Sequence, residues 1–267
     1  IEYMFSQPLI SVDNKTIIPF NVKSNYDYEI NIIYSLIKRN DSVRLNTEVL
    51  TDKTIIETIS RKPKILFINS YGNYLNCKDK KAMYIENSNG NCILLHISQL
   101  NENDFCNTEL VILSNCHLCI GEEFIKIGVK NVIVIQSFVN QGDDDTIFIK
   151  ILIKKILCGN SIKDSYECAL NKVNEFYKRN KNNIHSMNKY CYTHLHKDNC
   201  PILALFNKRY FDKLCEYIHN DSQCCCLDSK ENMINRNCSK YFLLSKENNA
   251  NTVIFDKEKN VLNKEKT

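Results

Sequence analysis

Short apolar runs alternate with segments of helical periodicity along the first half of the chain. The runs are five to seven residues long and rich in β-branched residues, which is typical of buried strands. They are KILFIN (64–69), NCILLHI (91–97), LVILS (110–114) and NVIVIQS (131–137). Continuous apolar strands separated by helices form parallel sheets that are covered on both faces. The pattern therefore predicts an α/β fold with three layers, α/β/α, and a mostly parallel central sheet.

The segments between and after these runs predict amphipathic helices, because their apolar residues recur at three- and four-residue spacing. They are YEINIIYSLIKRN (28–40), DKTIIETIS (52–60), EEFIKIG (122–128), DDTIFIKILIKKILCGN (144–160) and SIKDSYECALNKVNEFYKRNK (161–181). Gly159 ends the fourth helix, and Ser161 with Asp164 has the spacing of a capping box at the start of the fifth.

The C-terminal third has a different composition. Residues 179–200 are polar and rich in His and Cys, after which PILALF (201–206) predicts a strand and NKRYFDKLCEYIH (207–219) a helix. SKYFLLS and NTVIFD predict a late hairpin before a charged tail. We expect a core over residues 1–180 and a His/Cys-rich extension over residues 181–267 that can complete the same domain.

Composition narrows the class of protein. The chain has 267 residues, of which 43% are hydrophobic, enough to bury one large core. Its net charge of +4 comes from interspersed acidic and basic residues. The sequence therefore predicts no cluster of basic residues that would bind nucleic acid. It contains neither an apolar run of about 18 residues nor a signal peptide, so we expect no membrane partner. Since no secretory route is visible, we interpret the fourteen cysteines as reduced thiols of a cytoplasmic protein. The start at Ile1 indicates a piece of a longer chain, whose other domains would be partners.

Candidate chemistry lies where the predicted strands end, because catalytic groups in open α/β sheets sit at the carboxyl ends of strands. Three ends carry polar residues: Asn69-Ser70-Tyr71-Gly72, Ser114-Asn115-Cys116-His117, and Gln136-Ser137 running on to Asp143, Asp144 and Asp145. A cysteine at the end of a buried strand is a candidate nucleophile, provided that a neighbouring group takes its proton.

The order of these pieces resembles the CHAT branch of the caspase-like cysteine peptidases, which has separase and the gingipains among its relatives. The matching stretches are PKILFINSYGN (63–73), ELVILSNCHLCIGEEFIKIGVKNVIVI (109–135) and DDDTIFIKILIKKILCGNSIKDSYECAL (143–170), with SQPLISVD as the entry to the domain. The resemblance implies a caspase-like fold whose ancestral activity is that of a cysteine endopeptidase, acting on protein or peptide substrates without a cofactor.

By this resemblance Cys116 occupies the position of the nucleophile, and the amides of Gly72 and Cys116 would hold the oxyanion. The family histidine, which activates the thiol, falls on Tyr71. A phenol, with a pKa near 10, does not shuttle protons near neutral pH as an imidazole does. We therefore expect a degenerate peptidase that serves as a scaffold or sensor module of a larger protein.

Two alternatives remain open. One is an active cysteine endopeptidase in which Cys116 uses another histidine as base. His117 should point away from the thiol, because successive side chains of a strand face opposite sides, and His96 lies on an accessory strand. The other is a flavodoxin-like or nucleotide-binding α/β domain. The chain has 6 glycines and lacks the glycine-rich phosphate-loop motifs, which counts against that alternative.

The acidic run Asp143, Asp144, Asp145 also has two interpretations. In peptidases of this branch an acidic residue in this region helps to form the pocket for a basic substrate residue. Alternatively, the three carboxylates stabilise a helix N-terminus by roughly 0.3–1 kcal/mol each, which is the simpler interpretation.

A cluster of possible metal ligands lies in the extension. Cys191, His194, His196 and Cys200 are four ligands of the kind that zinc prefers, within ten positions. Their spacing lacks the paired Cys-x2-Cys of common zinc modules, and a cysteine-rich chain produces such clusters by chance. We therefore expect no metal centre here, with zinc as the alternative.

Overall fold

The protein is an α/β structure built around a single central sheet. The computed structural model describes residues 1–8, 10–13, 16–19, 26–38, 40–70, 82–101, 105–116, 118–135, 143–179, 241–246 and 249–255. The strands are β1 Glu2–Phe5, β2 Ile10–Asp13, β3 Thr16–Pro19, β4 Asn46–Val49, β5 Ile65–Asn69, β6 Ala82–Glu86, β7 Cys92–His96, β8 Leu110–Ser114, β9 Asn131–Ile135 and β10 Tyr241–Ser245. The helices are α1 Tyr26–Ile37, α2 Asp52–Ser60, α3 Leu118–Lys126, α4 Asp143–Leu157 and α5 Ile162–Arg179.

Six strands form the central sheet in the order β10-β9-β8-β5-β1-β4. The five strands from β4 to β9 in this order run parallel, and β10 is antiparallel to β9 at the edge. Two antiparallel pairs, β2 with β3 and β6 with β7, stand apart from this sheet. The predicted three-layer α/β/α architecture with a mostly parallel sheet is confirmed.

The central strands are buried on both faces, which is why their sequences are continuous apolar runs. Along β5, Leu66 and Ile68 join the core under α2 and α3, whereas Ile65 and Phe67 join the core under α1, α4 and α5. All five residues of β5, β8 and β9 are buried. Alternate side chains of each strand therefore belong to opposite layers.

The chain crosses the sheet between β1 and β5. After β1 it passes through α1, which packs on one face of the sheet, to β4, which is one neighbour of β1. It then returns through α2, which packs on the opposite face, to β5, which is the other neighbour of β1. Such a reversal opens a crevice at the carboxyl ends of the two strands, where ligands of open α/β sheets bind. The residues that follow β1, β5 and β8 therefore lie where a ligand site of such a sheet is expected.

Two predictions about strands differ from the structure. The run 91–97 forms β7, which pairs with β6 in a separate hairpin rather than in the central sheet. The late hairpin is wrong, because β10 pairs with β9 while Val253 bridges Ser161 at the start of α5. The side chains of β10 are apolar on both faces, Phe242 toward one core and Leu243 toward the other, so the strand fits between the layers.

Contacts divide the chain into two compact units. The first comprises Ile1–Asn174 and Lys240–Thr267, so that β10 belongs to it, and the second is Glu175–Ser239. Only the end of α5 is described in the second unit, and the strand and helix predicted over 201–219 lie outside the described residues. In the described part of the chain, no helix is long and apolar enough to cross a membrane.

Gly121 lets α3 approach the sheet closely, and we predict that Gly121→Ala destabilises the protein. A Cβ at this position would lie 2.5 Å from Val134 Cγ2 and 3.0 Å from Leu244 Cδ1. Overpacking of this kind costs about 1–3 kcal/mol, against a gain in helix propensity of about 1 kcal/mol. Urea unfolding should show a net loss of stability, while the exposed neighbour Glu122→Ala should unfold like wild type. An equally stable Gly121→Ala protein would contradict this packing.

Candidate functional site at the carboxyl ends of the strands

Polar residues collect at the carboxyl ends of β1, β5 and β8, on both sides of the sheet. Ser70 and Cys116 follow β5 and β8, and Cys116 belongs to the core cluster under α2 and α3. On the opposite side, Asn69 and Ser114 meet Glu29 from α1. The pairing of Asn69 with Ser114 in register brings both groups to the same edge.

A backbone turn at Asn115 determines where Cys116 points. Asn115 has a φ of +62°, the left-handed conformation that asparagine tolerates better than most residues. Its amide donates to the Ile135 carbonyl at 3.0 Å, and its side-chain Nδ2 donates to Asn69 Oδ1 at 2.9 Å. These bonds to two neighbouring strands hold the turn, which directs Cys116 into the core.

The Cys116 thiol is buried and acts as a hydrogen-bond donor. Its side chain has no exposed surface, and Sγ lies 3.0 Å from the Ser70 carbonyl oxygen and 3.6 Å from that of Ser114. Burial raises the pKa of the thiol to about 12. A reactive cysteine needs the reverse, a partly exposed thiol whose pKa is lowered by a nearby cation or helix N-terminus. The thiol in this arrangement keeps its proton.

The hairpin of β6 and β7 belongs to the same core cluster as Cys116. Met83, Ile85 and Leu95 of the hairpin are buried in the same core cluster as Cys116. Ser70 Oγ donates to the Tyr84 carbonyl, so the end of β5 is tied directly to β6. The hairpin thus contributes to the apolar surroundings that remove Cys116 from solvent.

One histidine falls within the described residues. His96 is half-buried at the end of β7, opposite Ala82. The hydrogen bonds of Cys116 to described residues go to the two backbone carbonyls rather than to this imidazole. Tyr71, Gly72 and His117 lie outside the described residues, so their predicted roles stay predictions.

The predicted metal ligands also lie outside the described residues; they are Cys191, His194, His196 and Cys200. Within the described ranges, no group of three His, Cys, Asp or Glu residues is arranged to hold a metal ion.

The acidic run begins α4, and two of its carboxyls face inward. Asp144 and Asp145 are buried, and one oxygen of each lies 3.0 Å from the Tyr241 hydroxyl on β10. The Tyr241 ring stacks on Phe148 with centroids 4.1 Å apart, which holds the hydroxyl in place. The helix begins at Asp143, whose side chain is not among those described. The carboxyls of Asp144 and Asp145 therefore take part in packing α4 against β10.

Glu29 is a buried carboxylate that sequence reasoning missed. It is 3% exposed, and within the described residues it accepts hydrogen bonds from one side chain on each of the strands β1, β5 and β8. Tyr3 Oη lies 2.5 Å and Asn69 Nδ2 lies 2.8 Å from Oε2, while Ser114 Oγ lies 3.0 Å from Oε1. One side chain of α1 thereby joins β1, β5 and β8.

Burial dominates the electrostatics of this group and raises the pKa of Glu29 to about 7. The three hydrogen bonds act in the opposite direction, and the charge of Asp145 raises the pKa further. The pKa of Tyr3 is raised well above its ordinary value by burial and by the adjacent Glu29. The pair therefore combines a phenol that keeps its proton with a carboxyl that titrates near neutrality.

The sequence contained one signal for Glu29. The buried residues of α1 are Glu29, Ile33 and Ile37, at i, i+4 and i+8, so the carboxylate occupies the first position of the buried stripe. An acidic residue there is costly unless it is paired or hydrogen-bonded, which indicates a partner from elsewhere in the fold. The pattern does not identify that partner.

The chain matches no protein-family model and no curated protein.

Thiol alkylation tests the environment of Cys116. Cys106 and Cys158 are exposed free thiols, and they should react with iodoacetamide at pH 7.5 at the rate of ordinary cysteines. Cys116 should react at least roughly a thousandfold more slowly, because both its burial and its raised pKa suppress the thiolate. Peptide mass spectrometry along a time course measures the three rates separately. Modification of Cys116 before Cys106 would contradict the buried, protonated thiol.

Proposed function

We propose that the chain is a degenerate CHAT-type, caspase-like cysteine endopeptidase domain that no longer cleaves peptides and serves as a scaffold or sensor module. The observation that carries this proposal is the state of Cys116, a buried thiol whose S–H donates a hydrogen bond to the Ser70 carbonyl.

The placement of the strand ends supports the ancestry. A caspase-like dyad requires its two positions to follow neighbouring parallel strands, and β5, which leads to Tyr71, is parallel and adjacent to β8, which leads to Cys116. The helix-ending stretch Cys158-Gly159-Asn160-Ser161-Ile162 also has the structure that its residues favour. Gly159 has a φ of +82° just after α4, and the Asp164 amide donates to Ser161 Oγ at 3.0 Å.

The loss of activity follows from the chemistry that the ancestral site would need. Attack on a peptide carbonyl requires a thiolate, and departure of the amine requires a proton from an imidazole. Tyr71 stands at the imidazole position, and burial raises the pKa of Cys116 to about 12. The proposed dyad therefore lacks both an imidazole and a readily formed thiolate, and each of these losses is independent of the other.

The proposed role determines the class of partner. A module of this ancestry would bind a protein or peptide segment, or other domains of its own chain, rather than nucleic acid or a membrane. The cysteines support a cytoplasmic location, since the six in the described part of the chain are free thiols. They are Cys92, Cys106, Cys116, Cys119, Cys158 and Cys168.

A peptidase assay tests the proposal. Wild type and Cys116→Ala should show the same background rate on a panel of fluorogenic peptides that includes Arg and Lys before the scissile bond. Circular dichroism confirms that each protein is folded, and Cys106→Ala serves as the control for loss of an exposed thiol. Hydrolysis that Cys116→Ala abolishes and Cys106→Ala retains would overturn the proposal and establish an active cysteine endopeptidase.

A further inference from the structure

A cavity lies between the last turns of α1 and α4, two helices that pack against each other on one face of the sheet. Its volume is about 400 Å³, within the range of small-molecule sites. Leu36 and Leu157, both half-buried, form its apolar walls. The polar residues that line it are Ser35, Lys38, Asn40, Lys154 and Cys158. None of these lining residues carries a carboxylate, so the cavity combines apolar walls with positive charge.

The two lysines of the cavity have no acidic partner within the described part of the chain. Neither Lys38 nor Lys154 forms an ion pair there, although both side chains are exposed. Elsewhere on the surface, Lys53, Lys64 and Lys130 each pair with a glutamate. Two ammonium groups that line one cavity repel each other, and a bound anion would relieve this repulsion.

Helix capping does not account for these two lysines. Basic residues near the end of a helix often compensate the last carbonyl groups, but here those carbonyls have other donors. The Lys155 carbonyl accepts from the amides of Cys158 at 3.1 Å and Asn160 at 3.2 Å. It also accepts from Asn160 Nδ2 at 2.9 Å. At the end of α1, the Ile37 carbonyl accepts from the Asn40 amide at 2.7 Å.

Asn40 adds a neutral donor to the cavity. Its Oδ1 accepts from the amide of Ser42 at 3.2 Å and from the Ser42 hydroxyl at 2.6 Å, which sets the orientation of the side-chain amide. Its Nδ2 donates to none of the described residues and can donate to a ligand. Two ammonium groups and an amide N–H are donors of the kind from which a carboxylate accepts hydrogen bonds.

We propose that this cavity binds a small organic anion, namely a carboxylate with a short apolar tail. The carboxylate lies between Lys38 and Lys154 and accepts a hydrogen bond from Asn40. The tail covers Leu36 and Leu157 and removes their exposed surface from water. A compact anion such as inorganic phosphate leaves both leucines uncovered, so the apolar walls determine the class of ligand.

This cavity is separate from the region of Cys116, and the proposal does not rest on the proposed function. Glu29 in the first turn of α1 reaches the carboxyl ends of the strands, so the last turn, about 10 Å farther along the helix, lies toward their amino ends. Cys116 belongs to the core on the opposite face of the sheet. Ligand binding and peptide hydrolysis can therefore be measured independently.

Protection of Cys158 from alkylation tests the site, because this exposed thiol lines the cavity. A ligand as small as hexanoate binds with a Kd on the order of 10 mM, so a few times that concentration should slow alkylation of Cys158 by iodoacetamide roughly threefold. Hexanamide has the same tail without the charge, and inorganic phosphate has charge without the tail, so both should protect less. Cys106, an exposed thiol outside the cavity, should keep its rate in all three solutions.

Peptide mass spectrometry along a time course measures both rates in one sample, and circular dichroism confirms that the protein stays folded. Absence of protection by hexanoate, equal protection by hexanamide, or equal slowing of Cys106 would each overturn the proposal.

The double variant Lys38→Gln/Lys154→Gln tests the role of the charges. It should fold, because both side chains are exposed, and it should lose most of the protection of Cys158 by hexanoate. Lys53→Gln is the matched control, since Lys53 is an exposed lysine on α2, which packs on the opposite face of the sheet. It should retain the protection seen in wild type. Full protection in the double variant would show that the two lysines do not hold the carboxylate and would overturn the proposal.

The charge of the alkylating reagent gives a second measurement that needs no added ligand. Iodoacetate carries a carboxylate where iodoacetamide carries a neutral amide. The ratio of the iodoacetate rate to the iodoacetamide rate at Cys158 should fall roughly fivefold from wild type to the double variant at low salt. This fall should shrink at high salt, because salt screens exposed charges. An unchanged ratio in the double variant would contradict a cationic cavity.

Discussion

The parallel pairing of β5 with β8 is the constraint on which the site depends. Its register runs from Ile65 opposite Leu110 to Asn69 opposite Ser114, and it places both strand ends at one edge. Alternation then sends Asn69 and Ser114 toward α1, while the turn at Asn115 sends Cys116 to the other side. A slip of one residue would exchange the two faces, so the register defines the thiol environment and the carboxyl network together.

Burial acts on both groups and has opposite chemical consequences. It raises the pKa of the Cys116 thiol to about 12, so that the nucleophilic form is lost at neutral pH. It raises the pKa of Glu29 only to about 7, because three donors favour the ionised form and partly offset the cost of burial. Desolvation therefore keeps the Cys116 thiol protonated at neutral pH, and it places the pKa of the Glu29 carboxyl near neutrality.

The sequence predicted those parts of the fold in which both faces of a strand are buried. β5, β8 and β9 are continuous apolar runs and were recognised at nearly their observed bounds. β1 was missed because it carries Glu2, which the fold neutralises with Arg61 at 3.0 Å, a partner 59 positions away. β4, with the sequence NTEV, is a polar edge strand without an apolar pattern. Local sequence patterns identify elements whose own residues are apolar. They miss elements whose polar residues are stabilised by partners that are distant in sequence.

The candidate site could likewise be predicted only in part from the sequence. Cys116 could be found because it ends an apolar run, whereas its protonated state depends on the Ser70 carbonyl and on the neighbouring hairpin, neither of which a linear pattern reveals. In this setting the cysteine behaves as a small buried apolar residue with a weak donor. Its S–H donates to the Ser70 carbonyl just after β5, and removing a donor from a buried carbonyl is costly. The thiol of Cys116 therefore has a structural role at the end of these strands.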